Sequence, residues 1–196
     1  MFSFDVTAPQ NSSHGIVFIK ADVRNAAQLQ RGFQKIGGTV DLLVNNAGIM
    51  RRGKIFESSE KDWDDLFAVN AKGYWLVTKT AQKFLKPRAQ ILFMSSMHGL
   101  SLPEDPALYG ITKRMIISLA EVVALTYPRY RIKIVAPGPV DTAMSKAGRT
   151  KAEFEKRNRE IQQIKPEVFC KKILALIESD HTELFYNSRA SSYSYR

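Results

Sequence analysis

The sequence predicts an α/β fold: a doubly wound parallel sheet with helices on both faces. Three observations predict it. Short aliphatic and β-branched runs alternate with longer stretches of helical spacing along all 196 residues. The central apolar runs are near-continuous, as expected for strands buried on both faces. Loops of distinctive composition (ADV, NNAG, SSMHG and PGPVDT) follow four of these runs. In such sheets ligands sit at the carboxyl ends of the strands.

The elements follow in order. The opening MFSFDV alternates Phe2, Phe4 and Val6, with Asp5 near its close, and reads as the end of a buried strand. Ile16 to Val23 is a second strand, carrying Asp22 near its end. Asn25 to Ile36 spaces Ala26, Leu29 and Phe33 helically, and Gly37-Gly38 stops it. Val40 to Val44 is a strand opening into NNAG. Ser59 and Asp62 form a capping box. They start a helix expected to run to about Leu85, where Pro87 ends it. Ile91 to Met94 is a strand. Tyr109 to about Tyr127 is a helix stopped by Pro128. Ile132 to Val135 is a strand, Lys151 to Gln163 a charged helix, Glu167 to Glu178 another, and Glu183 to Tyr186 a last strand. The tail, residues 187–196, is expected to be loose. The whole, residues 1–196, is expected to form one domain.

Composition narrows the function. The chain is 44% hydrophobic and 24% charged, enough apolar material for a full core. One cysteine, Cys170, permits no intramolecular disulfide and suits a reducing, cytoplasmic setting. No secretory leader is visible, and no apolar run approaches the roughly 20 residues of a membrane span. The net charge of +10 raises nucleic acid as a partner. No nucleic-acid motif accompanies the charge, so the expected surface is a basic, solvated one without nucleic acid or membrane partners.

Tyr109 and Lys113 stand four apart, on one helix face. A cation beside a phenol favours the phenolate and lowers its pKa from about 10. Such a tyrosine serves as a general acid or base. Alone the pair is weak, because YxxxK arises often by chance.

It is not alone. NNAG lies at Asn45 to Gly48, including Ala47. An asparagine, Asn70, stands in VNAKG of the long helix. Ser96 of SSMHG lies thirteen residues before Tyr109. PGxVxT is Pro137, Gly138, Val140 and Thr142. Asp22-Val23 closes the second strand. In this order and spacing the motifs resemble the short-chain dehydrogenase/reductase (SDR) family, from Phe2 to about Tyr186. The resemblance implies a Rossmann-like three-layer α/β/α fold. It also implies an oxidoreductase that transfers hydride between a nicotinamide cofactor and an alcohol or carbonyl substrate.

The resemblance assigns roles. Tyr109 would exchange a proton with the substrate oxygen. Lys113 would lower its pKa and bond the nicotinamide ribose. Ser96 would hold the substrate oxygen, and Asn70 would support a water linking Lys113 to solvent. Asn45, Ala47 and Gly48 would line the cofactor. Asp22 and Val23 would border its adenine. Pro137, Gly138 and Val140 would flank it, and Thr142 would meet its carboxamide. His98, two residues past Ser96, would face the substrate or solvent. Residues 144–165 would cover the substrate. A homodimer or homotetramer through the Asn70 and Tyr109 helices is implied.

One departure stands out. Family members begin with a strand and a TGxxxGxG turn that holds the cofactor pyrophosphate. The eleven glycines here form neither GxxxGxG nor GxGxxG. MFSFDV aligns with the family's second strand, so the chain is expected to be N-terminally truncated by one strand, turn and helix. Its first two strands should then lack their central neighbour and expose backbone. Asp5 aligns with the acid that accepts hydrogen bonds from the adenosine ribose. It should favour NAD over NADP, the more so because VTAPQNSSHG after it holds no lysine or arginine. A non-catalytic relative that binds a partner is the alternative reading. A basic nucleic-acid-binding module is a third, supported only by the charge.

Overall fold

The computed structural model describes residues 1–9, 14–146, 150, 152, 154–155, 163–187 and 190–196. Among the described residues, seven strands fall into two sheets. β1 (Phe2–Asp5) and β2 (Val17–Lys20) form a parallel pair. β3 (Val40–Asn45), β4 (Leu85–Met94), β5 (Arg131–Ala136), β6 (Glu183–Asn187) and β7 (Ser192–Tyr195) form a second sheet in that order. All its pairs are parallel except β6–β7. No ladder joins β1 or β2 to β3 among the described residues. The first pair therefore stands apart from the main sheet, as the motif order predicts.

Helix α1 (Ala26–Ile36) ties the two sheets together through side chains. Asn25 caps it by accepting from the Gln28 N–H. Gly37 ends it in the left-handed region at φ 68°, where glycine is favoured. Its inner face buries Leu29, Gly32 and Phe33. The Phe4 ring of β1 lies 5.0 Å from Phe33, and Phe84 stacks on Phe33 at 5.5 Å. Phe33 also belongs to the main core with Leu43, Tyr74, Ile91, Phe93 and Ile116. One ring thus serves both sheets.

The long helix differs from expectation. The capping box is present: Ser59 accepts from Asp62 N–H, and Asp62 accepts from Ser59 N–H. Behind it come α2 (Glu60–Leu66), a π-helical segment (Phe67–Lys72) and α3 (Gly73–Ala81). The helix stops at Ala81, and Leu85 already belongs to β4. Tertiary pairing overrides local spacing here. Leu85 opposes Val40, then the ladder shifts to Leu42 opposite Gln90. Pro87 lies in the skipped stretch, where no ladder N–H is required.

Helices α4 (Met97–Leu100), α5 (Ala107–Thr126), α6 (Ala143–Lys146) and α7 (Pro166–Glu178) complete the described structure. The helix expected over Lys151 to Gln163 falls largely outside the described residues. A second cluster packs α7 on the far side of the main sheet, around Leu92, Val135, Phe169, Leu176 and Leu184. In the tail, expected to be loose, Ser192–Tyr195 form a strand. Tyr193 and Tyr195 alternate with serines and pair β7 to β6, because Phe169 and Ile173 of α7 give those rings an apolar bed. No helix is long and apolar enough to cross a membrane among the described residues.

Truncating Phe33 tests the linkage between the sheets. Phe33→Ala should cost about 3–5 kcal/mol in urea unfolding, the usual range for a buried phenylalanine. A loss under about 1 kcal/mol would show that β1 and β2 dock by other means.

Candidate active site

The strand ends of β3, β4 and β5 converge on the first two turns of α5. Ser96 follows β4 and caps α4, its Oγ accepting from the His98 N–H at 3.2 Å. The Ser96 and Tyr109 hydroxyls are hydrogen-bonded. The His98 ring meets Tyr109 edge-on at 6.3 Å. One turn along α5 the Lys113 Nζ lies 5.6 Å from the centre of the Tyr109 ring. It donates to the Met94 carbonyl at 3.0 Å. Ser96, Tyr109 and Lys113 are all buried.

Asn70 closes the cluster from the π-helical segment and is fully buried. Its Oδ1 accepts from the Ile49 N–H at 2.9 Å, and its Nδ2 donates to the Ile49 carbonyl at 2.9 Å and to Thr112 Oγ1 at 3.1 Å. The side chain therefore holds the main chain just past Gly48 against α5. A Cβ added to Gly48 would stand 3.4 Å from Asn70 Oδ1 and 3.5 Å from Lys113 Nζ. The wider π turn is accommodated at Gly73. A Cβ there would come 2.9 Å from Val23 Cγ2, so the backbone approaches the loop after β2 as only glycine allows.

The comparisons can now be set beside this geometry. A family model described as enoyl-(acyl carrier protein) reductase matches residues 5–177. Oxidoreductase UcpA of Escherichia coli is 30% identical over 190 residues, covering 92% of this chain and 72% of its own. UcpA of Salmonella typhimurium is 34% identical over 143 residues, covering 68% of this chain and 54% of its own. The chain thus spans only about half the length of that relative. Among solved structures, ligand-free Thermoplasma acidophilum aldohexose dehydrogenase matches with TM-score 0.79 at 26% identity, over 91% of this chain and 76% of that one.

This chain belongs to the short-chain dehydrogenase/reductase family. The SDR chain brings Gly48, Asn70, Ser96, Tyr109 and Lys113 together. Pro137 joins them through its carbonyl, which accepts from the Met97 N–H at 2.8 Å. Other expected residues are engaged elsewhere. Asn45 is buried and donates to Thr78 Oγ1 at 3.1 Å. Asp22 takes a two-point bond from Arg24, at 3.0 Å from Nε and 2.7 Å from Nη2. That partner holds its carboxyl below the usual carboxylate range. Thr142 caps α6, its Oγ1 accepting from the Ser145 N–H at 3.3 Å. Asp5 accepts from the Thr7 N–H at 3.0 Å and stands opposite Lys20 in the β1–β2 ladder. Val140 bridges to Ile164, and Ala47 is exposed.

The sequence reading missed three supports. Thr112 passes the Asn70 bond on to the Tyr109 carbonyl, at 2.8 Å. The Tyr74 hydroxyl donates to the same Met94 carbonyl as Lys113, at 3.0 Å. Ser95 Oγ donates to the Lys113 carbonyl at 2.7 Å. Tyr74 did carry a signal, one helical turn after Asn70.

The electrostatics correct one expectation. Lys113 does not bring the phenol toward neutrality. Burial pushes Tyr109 up to about 12, with the Ser96 bond opposing. Burial also pushes Lys113 down to about 7. Near neutral pH the lysine is only partly charged, so it offers the phenol less than a full cation would.

This sets a pH signature. Between about pH 7 and its unfolded value of 10.5, Lys113 is neutral when folded and protonated when unfolded. The unfolded state then binds more protons, so stability rises with pH across that window. Urea midpoints should climb from pH 7 to 9 in the wild type, and Lys113→Met should flatten that slope. An unchanged slope in the variant would place the titration elsewhere.

Proposed function

We propose that this chain carries the catalytic half of a nicotinamide-dependent oxidoreductase acting on a secondary alcohol or its carbonyl, with a sugar or polyol as the substrate class. The buried Ser96–Tyr109–Lys113–Asn70 cluster at the strand ends carries this reading. The likeness to an aldohexose dehydrogenase supports the substrate class.

The residues fit the nicotinamide half of such a cofactor. When protonated, Lys113 has three N–H bonds to give, and the Met94 carbonyl takes one. Its Nζ lies near Gly48 and would hold ribose hydroxyls. Ala47 and Gly48 would form one wall, and Pro137, Gly138, Val140 and Thr142 the other. Asp22 and Val23 would border the adenine. Bound there, nicotinamide supplies or accepts the hydride. Tyr109, with its pKa raised to about 12, holds its proton and gives it to a carbonyl oxygen. Ser96 orients that oxygen through its hydroxyl, and His98 lines the same side. Asn70 fixes the wall beside Lys113, where a water would return the proton from solvent. The same reading makes the protein a homodimer or homotetramer through α3 and α5. Their outer faces leave Trp75, Met115, Val122 and Leu125 exposed.

The test is turnover of a panel of polyols, secondary alcohols and ketones with NAD(H) and NADP(H). It is run on the chain alone and on the chain extended by a family strand, TGxxxGxG turn and helix. Tyr109→Phe keeps the ring and removes the proton, so turnover should fall by about 100-fold or more. Near-normal turnover would remove Tyr109 from proton transfer. Absence of turnover in every form would favour the non-catalytic alternative.

Cofactor choice gives a second test. The Asp5 carboxylate would accept from ribose hydroxyls and repel a 2′-phosphate. NAD should therefore be preferred to NADP. Asp5→Ala should erode the preference, because Lys20 then faces the phosphate without its acidic neighbour. A wild-type preference for NADP would overturn the assignment of Asp5.

A further inference from the structure

The peptide between Pro137 and Gly138 is gripped at both ends. Its carbonyl accepts from the Met97 N–H at 2.8 Å, one residue past Ser96. Its N–H, that of Gly138, donates to the Tyr193 hydroxyl at 3.2 Å. These two bonds point in opposite directions from one rigid plane. They leave that plane little freedom to rotate.

The Tyr193 hydroxyl is itself held on several sides. β7 pairs with β6, with Tyr193 opposite Tyr186. The two rings meet at 5.3 Å and 63°. Phe169 of α7 packs on Tyr193 at 5.6 Å, and Lys172 Nζ lies 5.7 Å from its ring centre. The loop rests directly on this aromatic bed. A Cβ on Gly138 would come within 2.3 Å of the Tyr186 ring, so any other residue would lift the loop away. Burial pushes the Tyr193 phenol up to about 12, against the opposing effect of the Gly138 N–H bond, so the acceptor is a neutral hydroxyl.

We infer that Tyr193, from the C-terminal strand, is a positioning residue that fixes the Pro137–Gly138 peptide relative to Ser96. This rests on the proposed function, in which that loop forms one wall of the nicotinamide site. β7 then sets the distance between the loop and the Ser96–Tyr109 pair. It does so through hydrogen bonds and ring packing, without touching substrate.

The experiment follows the Gly138 amide by nuclear magnetic resonance on the chain as it is. In the wild type that amide should be protected from hydrogen exchange. In Tyr193→Phe, which keeps the ring, its exchange should speed up by about 10-fold or more while the melting temperature stays near wild type. Tyr195→Phe removes a hydroxyl that bonds the Lys172 carbonyl instead, and should leave Gly138 unchanged. NADH affinity, read by fluorescence titration, should weaken several-fold in Tyr193→Phe and not in Tyr195→Phe. A Gly138 amide that exchanges freely in the wild type overturns the inference without any variant. So does one equally protected in wild type and Tyr193→Phe. Faster Gly138 exchange in Tyr193→Phe with unchanged NADH affinity also overturns it, by reducing Tyr193 to a structural contact. A wild type that binds no NADH overturns the proposed function and the positioning role with it, whereas a wild type that binds NADH but fails one of these tests overturns the positioning role alone.

Discussion

A buried lysine organises the centre of this protein. Taking an ammonium out of water is costly unless it finds partners or loses its proton. Lys113 does some of both. Its Nζ bonds the Met94 carbonyl, and burial pushes its pKa to about 7. The groups around it have few alternatives. Met94 is the last residue of β4, Tyr74 comes from α3, and Ser95 bonds the Lys113 carbonyl. Asn70 reaches the same helix through Thr112 and holds Ile49 after β3. Three elements are thus drawn to one turn of α5. Each bond is worth about 0.5–1.5 kcal/mol net, yet leaving a buried group unpaired costs about 1–3 kcal/mol. That asymmetry makes the cluster cohere as a unit.

The divided sheet depends on a different contact. Among the described residues, β1 and β2 form a ladder only with each other. An isolated pair of strands is marginal in water. What retains it is the apolar face of α1, with Phe4 against Phe33 and a Gly32 that admits the Phe4 edge. Burying one such ring contributes about 1.5–3 kcal/mol. Among the described residues, the attachment is therefore made by side-chain packing on α1 rather than by a ladder to the main sheet. Asp5 and Lys20 sit at the carboxyl end of this pair. Their placement relative to the catalytic cluster depends on the docking of α1.

Much of this was legible in the sequence, for identifiable reasons. The parallel strands carry aliphatic runs with a strong local signal, and the Ser59 capping box is a local device. Tyr109 and Lys113 of the candidate site were legible because their spacing along α5 fixes a common face. The errors arose where a partner decides the outcome. Leu85 and Lys86 continue a helical pattern, but Val40 recruits Leu85 into a ladder. The SYSY of β7 alternates as a strand should, but serine and tyrosine declare an inner face only once α7 is beneath them. Thr112 and Tyr74 act through atoms whose partners lie far along the chain. The pKa of Tyr109 was misjudged because spacing reveals a neighbour's charge and not the burial that both groups share.

That last point shapes the chemistry. A fully charged Lys113 beside the Tyr109 ring would favour the phenolate. Burial moves Tyr109 the other way, from 10.0 to about 12. A charged lysine would therefore lower the phenol from that raised value, and a neutral one leaves it there. The cluster as found keeps the tyrosine proton in place, which suits donation to a carbonyl oxygen. As that proton leaves, negative charge on the Tyr109 oxygen would favour protonation of Lys113. Under the proposed reading the lysine is thus a charge that appears when the reaction needs it. Its depressed pKa keeps it from being a permanent cation in the core.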